Sequence, residues 1–190
     1  ADFAHSYTNI LWIRLILSYS GSSGIEFPKQ IEWYFNLLSE VGRMCTTASV
    51  YEGAENWPNL YAGAFSVMLL ILFVLNKRIN WKKKIAPVLF VLFFMASFAN
   101  KQLDFIWHGL HFPDSLPGRQ SYLYAFLVLT IGYATVRKWR GIRLWHIGVA
   151  VVFASALMAV STMFAGEDVT EYYAVIISIL FVALYGIMTV

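Results

Sequence analysis

Residues 137–168 read RKWRGIRLWHIGVAVVFASALMAVSTMFAGED. Arg137, Lys138, Arg140 and Arg143 come first with no acid among them; an uncharged run from Leu144 to Ala165 follows; Glu167 and Asp168 close the stretch. The run exceeds the roughly 20 residues that a helix needs to cross a bilayer. Cations on one flank and acids on the other orient it, because Lys and Arg are retained on the cytoplasmic side. The basic stretch is therefore expected inside the cell and the acidic one outside.

The same logic extends in both directions. Apolar runs at 59–75, 85–99, 122–136 and 172–190 join 144–165 to give five expected spans. Aromatics such as Trp57, Trp81, Tyr122, Trp139, Trp145 and Tyr172 mark their ends, as an interfacial belt does. The 76–84 turn carries Lys77, Arg78, Lys82, Lys83 and Lys84 and no acid, so it belongs with 137–143 on the cytoplasmic side. Every acid lies elsewhere: Asp104, Asp114, Glu167, Asp168, Glu171, or ahead of residue 59. The expected fold is thus an all-α membrane protein: a bundle of about five transmembrane helices with a structured extracellular re-entrant loop. Residues 59–190 form the five-span domain and 1–58 the extracellular-side segments.

Composition agrees. Of 190 residues, 59% are apolar, 17% aromatic and only 13% charged, against about 25% charged in soluble domains. Core helices of a large soluble protein are the competing reading, but a chain with so little charge has no polar shell to offer water. Clustered beside apolar runs, the cations point to lipid headgroups rather than nucleic acid. One cysteine, Cys45, excludes an internal disulfide and a CxxC metal site. The opening Ala1-Asp2-Phe3 has no basic start and no methionine and reads as a cut end. Residues 9–19, apolar around Arg14, suit an interfacial helix. The Ser/Gly-rich stretch that follows suggests a loop, a linker or a chain discontinuity near 19–31.

The densest chemistry lies at 100–119, with His108, His111, Asp104, Asp114, Lys101, Arg119 and Trp107. Connections this long and aromatic usually carry function. Three readings stand side by side. His108 and His111, at i and i+3, with Asp104 or Asp114 as third ligand, suit a metal, although Gly109 and Pro113 oppose a regular helix there. Alternatively, the histidines satisfy buried backbone groups in the re-entrant loop. The third and preferred reading is a phosphate site, in which Arg119, Lys101 and a protonatable histidine beside aromatic rings hold a lipid-linked phosphate. No cofactor is expected. Residues 107–113 are also expected to fold back on the helix ends, since their rings would otherwise face water.

Trp107-His108-Gly109-Leu110-His111-Phe112-Pro113, then Leu116-Pro117-Gly118-Arg119, resembles the bacterial YfhO membrane proteins. Their pattern runs Trp-His-Gly-aromatic-His-x-Pro, then x-x-Pro-aromatic-Arg. Pro58-Asn59-Leu60-Tyr61-Ala62-Gly63 resembles the same family's entry to a span, so the likeness covers about 35–141. Leu110 and Gly118 stand where the family favours aromatic residues. The resemblance implies a GT-C-type glycosyltransferase: a polyprenyl-phosphate-linked sugar as donor, and an envelope polymer such as lipoteichoic acid as acceptor. It also implies a multi-pass protein of the bacterial plasma membrane with its site on the extracellular face. Asp2-Phe-Ala-His5-Ser6-Tyr7 is similar in spacing to the first external loop of such enzymes. The resemblance therefore implies Asp2 as catalytic base, and His5, Tyr7, His108, His111 and Arg119 as substrate-binding residues. Since such proteins are much longer, the chain is expected to be a fragment or joined pieces of one. A non-catalytic membrane module, binding a lipid carrier or scaffolding a partner, is the alternative.

Overall fold

A computed structural model describes residues 30–46, 48, 57–110, 112, 118–165 and 171–190. They form six α-helices: α1 (Ala64–Leu75), α2 (Trp81–Ala99), α3 (Lys101–Trp107), α4 (Ser121–Arg137), α5 (Leu144–Ala165) and α6 (Tyr172–Met188). Short 3₁₀ turns lie at Ser39–Met44 and Trp139–Gly141. The only bridge among the described residues pairs Trp33 with Asn100.

α1 is the hub, packed on α4, α5 and α6, while α2 leans on α3 and α4. Close approach along α5 is set by small side chains: Ala150, Ala154 and Ser161 are fully buried, in a row at helical spacing with Met158. Gly186 of α6 lies against Val151, where an added Cβ would come within 2.6 Å of a methyl carbon. Small residues at helix seams are how backbones approach in a membrane. The outward faces are apolar: Leu89, Phe90 and Leu92 of α2, Phe126 of α4, Val152 of α5 and Leu180 of α6 are all more than half exposed.

Length separates the helices. Among the described residues, only Leu144–Phe164, at mean hydropathy 2.2, is long and apolar enough to cross a membrane by itself, and 28% of its most apolar stretch is buried. A soluble core helix would be mostly buried. The first expected span is helical only from Ala64, because Gly63 takes a φ of 93° just before it. Its 12 residues rise about 18 Å, short of the roughly 30 Å hydrocarbon core. α2 starts earlier than the hydropathy suggests. The Asn80 side chain accepts from the Lys82 amide at 3.0 Å, capping the helix and drawing Lys82, Lys83 and Lys84 into its first turns. Cations there oppose the helix dipole. Lys84 offsets this by donating to the Val74 carbonyl near the end of α1, at 2.6 Å.

The two basic turns lie at one end of the bundle. Asn76, fully buried, donates to the Lys138 carbonyl at 3.0 Å and accepts from the Arg78 amide at 2.9 Å. At the other end, the segment 30–36, the approach to α1, α3 and the start of α4 come together. Gly118 (φ 65°) packs so tightly there that a Cβ would fall 2.9 Å from Pro58 Cβ and 3.6 Å from Phe98.

Candidate functional site

The region expected to be one long loop begins with a helix. Asn100 caps α3, its side chain accepting from the Leu103 amide at 3.0 Å. α3 ends in a Schellman turn: Gly109 N–H donates to Ile106 O at 3.2 Å and Leu110 N–H to Phe105 O at 2.9 Å. Gly109 supplies the left-handed residue (φ 72°), and Leu110 shares that conformation at 66°. The helical face that matters is therefore Asp104 with His108, at i and i+4, rather than His108 with His111.

His108 Nδ1 lies 3.1 Å from Asp104 Oδ1 and 2.9 Å from the Asp104 carbonyl oxygen. Both partners are acceptors, so Nδ1 carries the proton and the tautomer is fixed. The Tyr34 hydroxyl donates to Asp104 Oδ2 at 3.1 Å, engaging the second carboxylate oxygen. Both Asp104 and His108 are buried. Hydrogen bonding to Asp104 raises the His108 pKa; burial and Arg119 pull the other way without prevailing. Burial, then the Asp104 charge, pushes the Tyr34 hydroxyl up, so it remains a donor.

Segment 30–34 holds this pair from outside. The Tyr34 amide donates to the Ala99 carbonyl at 2.8 Å and the Lys101 amide to the Glu32 carbonyl at 3.1 Å. Lys101 Nζ pairs with Glu32 at 2.6 Å and stands 5.5 Å from the Tyr34 ring centroid. The side-chain amide of Gln102 donates to the Gln30 carbonyl.

His108 and Arg119 line one cavity of about 280 Å³ with Trp107, Gln120, Tyr122 and Leu123. The Gln120 amide is buried in its wall, with neither its oxygen nor its nitrogen hydrogen-bonded among the described residues. Trp107 stacks on Phe94 at 6.0 Å and Phe112 meets Phe105 edge-on at 5.2 Å. Each nevertheless stays about two-fifths exposed, at 39% and 40%. The fold-back expected for this stretch is thus partial at these two rings.

Of the residues singled out in the sequence, His108 and Arg119 are brought together. Asp2, His5, Tyr7 and His111 lie outside the described residues. Asp114 does too, and among the described residues no three His, Cys, Asp or Glu side chains gather to hold a metal ion. The sequence placed Asp104 beside His108 at i, i+4 spacing only as a candidate metal ligand, not as its hydrogen-bond partner. Nothing local marked Tyr34 or Gln120.

A second cluster borders the site. Arg43 donates to the Pro58 carbonyl at 3.2 Å and to Asn59 Oδ1 at 2.9 Å. Glu40, one turn earlier, is fully buried, and neither carboxyl oxygen finds a hydrogen-bond partner among the described residues. Burial pushes its pKa up to about 9, so it is a neutral acid at physiological pH.

A family described as bacterial membrane protein YfhO matches residues 13–190. No curated protein matches the chain, and no solved structure matches it. With nearly its whole length matched, this chain belongs to the YfhO family of bacterial membrane proteins.

Proposed function

We propose that the full-length protein is a GT-C-type glycosyltransferase that moves a sugar from a polyprenyl-phosphate donor to a cell-envelope polymer, such as lipoteichoic acid, at the outer face of the plasma membrane. One observation carries this reading: His108, oriented by Asp104, lines the same cavity as Arg119. A guanidinium, a protonatable imidazole whose pKa Asp104 raises and a buried amide around one small cavity suit a phosphate better than a neutral ligand. In this reading the helices α1, α2, α4, α5 and α6 are five spans, the short ones completed by their flanking segments. The two basic turns face the cytoplasm and the His108 cavity faces outward.

The chemistry sets the roles. As the acceptor oxygen bonds to the sugar's anomeric carbon, the bond from that carbon to the phosphate oxygen breaks, and the hydroxyl proton passes to a base. The donor is a phosphodiester with one negative charge; the departing polyprenyl phosphate is a monoester that acquires a second. Arg119, His108 when protonated and the Gln120 amide would stabilise charge that develops as the bond breaks, which is where binding accelerates reaction. Asp2 is the proposed base, and His5, Tyr7 and His111 are proposed to complete the substrate site. No metal or other cofactor enters the scheme.

The test is sugar transfer by the purified full-length protein in lipid nanodiscs, with a labelled polyprenyl-phosphate sugar. Asp2→Asn should lower turnover by roughly 10² to 10⁴, the usual worth of a general base, with donor binding kept. Arg119→Lys keeps the charge but loses the planar fork, so the donor KM should rise. Donor binding without transfer by the wild-type protein would favour a lipid-carrier module, and wild-type behaviour of both variants would overturn the site.

A further inference from the structure

A cavity lies at the end opposite His108. It has a volume of about 420 Å³ between α1, α2 and α4, and the described residues that line it include Arg78, Lys83, Arg137 and Lys138 and no acid. Its remaining wall is largely apolar, including Phe73, Pro87, Leu127 and Ile131. A second, apolar groove of about 170 Å³ continues from it, since Phe73 and Ile131 line both. The groove runs along α1 and α2 between Leu70, Val74, Val88 and Leu92. A basic chamber thus opens into a hydrocarbon-lined trough.

The convergence of cations is built. Like charges brought together repel, yet buried Asn76 ties the Arg78 amide to the Lys138 carbonyl. Gly141 permits the approach: a Cβ there would collide with Asn76 Oδ1 and fall 2.9 Å from Arg78 Cβ. Basic pockets between membrane helices on the cytoplasmic side bind anionic headgroups, and apolar groove residues would extend such a site along an acyl chain.

We propose that this cleft binds one anionic glycerophospholipid, its phosphate held by Arg78, Lys83, Arg137 and Lys138 and an acyl chain lying in the groove between α1 and α2. Charge complementarity selects the occupant. A zwitterionic lipid would bring an ammonium group into a chamber that offers it no acid. The site is separate from the His108 cavity and does not depend on the transferase reading.

The full-length protein, purified in mild detergent and exchanged with equimolar phosphatidylglycerol and phosphatidylcholine, is examined by native mass spectrometry. Wild-type protein should retain phosphatidylglycerol at least about tenfold over phosphatidylcholine, a preference of about 1.4 kcal/mol. The double variant Arg78→Gln/Arg137→Gln, both exposed side chains, should lose that preference while its melting temperature holds. Ala134→Trp, filling the chamber without changing charge, should lower retention of phosphatidylglycerol. Equal retention of the two lipids, an unchanged preference in the double variant, full displacement by inorganic phosphate, or stronger retention of a polyprenyl phosphate would each overturn the proposal.

Discussion

The two ends of the bundle handle charge in opposite ways. At the His108 end, charged and polar groups are matched inside the protein: Asp104 meets His108 and Tyr34, Glu32 meets Lys101, and Arg43 meets Pro58 and Asn59. At the Asn76 end, four cations share a chamber that no acid lines among the described residues. Internal pairing fixes geometry, as a site that must orient a substrate requires. Cations gathered without an acid leave room for an anion from outside. The difference separates a preorganised end from a receptive one.

Glu40 and Gln120 are exceptions at the matched end, and Glu40 gives the largest expected effect. Its folded pKa of about 9 stands above the usual 4.5, so the folded protein keeps a proton that the unfolded chain releases. That stability is fully present in acid and is lost as pH rises from about 4.5 to about 9, with a slope approaching 1.4 kcal/mol per pH unit. Glu40→Gln should flatten this dependence and raise stability at pH 8. Thermal unfolding of both proteins across that range decides it; parallel curves would mean that Glu40 finds a partner.

Asp104→Asn addresses the matching directly. An asparagine can still hold the ring but removes the charge that raises the His108 pKa. Turnover should fall roughly 10- to 100-fold, as for other groups that orient a functional histidine, and binding of a phosphate ligand should fade at lower pH than in the wild type. Binding is present while His108 is protonated and is lost as pH rises through its pKa, which the substitution lowers. An unmoved pH profile would show that Asp104 only packs.

How far the sequence carried these contrasts depends on range. The basic turns and the uncharged run at 144–165 were legible because charge and hydropathy act within a few residues. The pairing of Asp104 with His108 was half legible: the spacing was visible, but Gly109 and Pro113 argued against helix, and the helix in fact ends just before them. Tyr34 and Gln120 were not legible, since Tyr34 reaches Asp104 across 70 positions and the Gln120 environment is made by the fold. Hydropathy also missed the early start of α2, because the Asn80 cap outweighs three lysines.

At the receptive end, Gly141→Ala should break the Asn76 clamp. The added carbon meets Asn76 Oδ1 and Arg78 Cβ, both on a turn with little room to yield. Overpacking of this kind costs about 1–3 kcal/mol, so chemical denaturation should shift accordingly. Phosphatidylglycerol retention should fall with it, because the two basic turns move apart. A stable Gly141→Ala protein with full retention would show that the chamber does not need the clamp.

The smallest effect is expected at the ion pair that joins two segments, Lys101 with Glu32 at 2.6 Å. Distance alone would rank it above Asp104 with His108, but exposure reverses the order. The Lys101 and Glu32 side chains keep 34% and 50% of their surface in contact with solvent, and an exposed pair contributes about 0.2–1 kcal/mol. Segment 30–34 is also held by backbone bonds from Tyr34 to Ala99 and from Lys101 to Glu32, which a side-chain change leaves intact. Lys101→Gln should therefore lower stability by less than about 1 kcal/mol and leave the His108 pH profile in place. Tyr34→Phe should cost more, about 1–3 kcal/mol, because it strips a donor from the buried carboxylate of Asp104. A Lys101→Gln loss as large as that of Tyr34→Phe would mean that the salt bridge, not the Tyr34 hydrogen bond, docks the segment on α3.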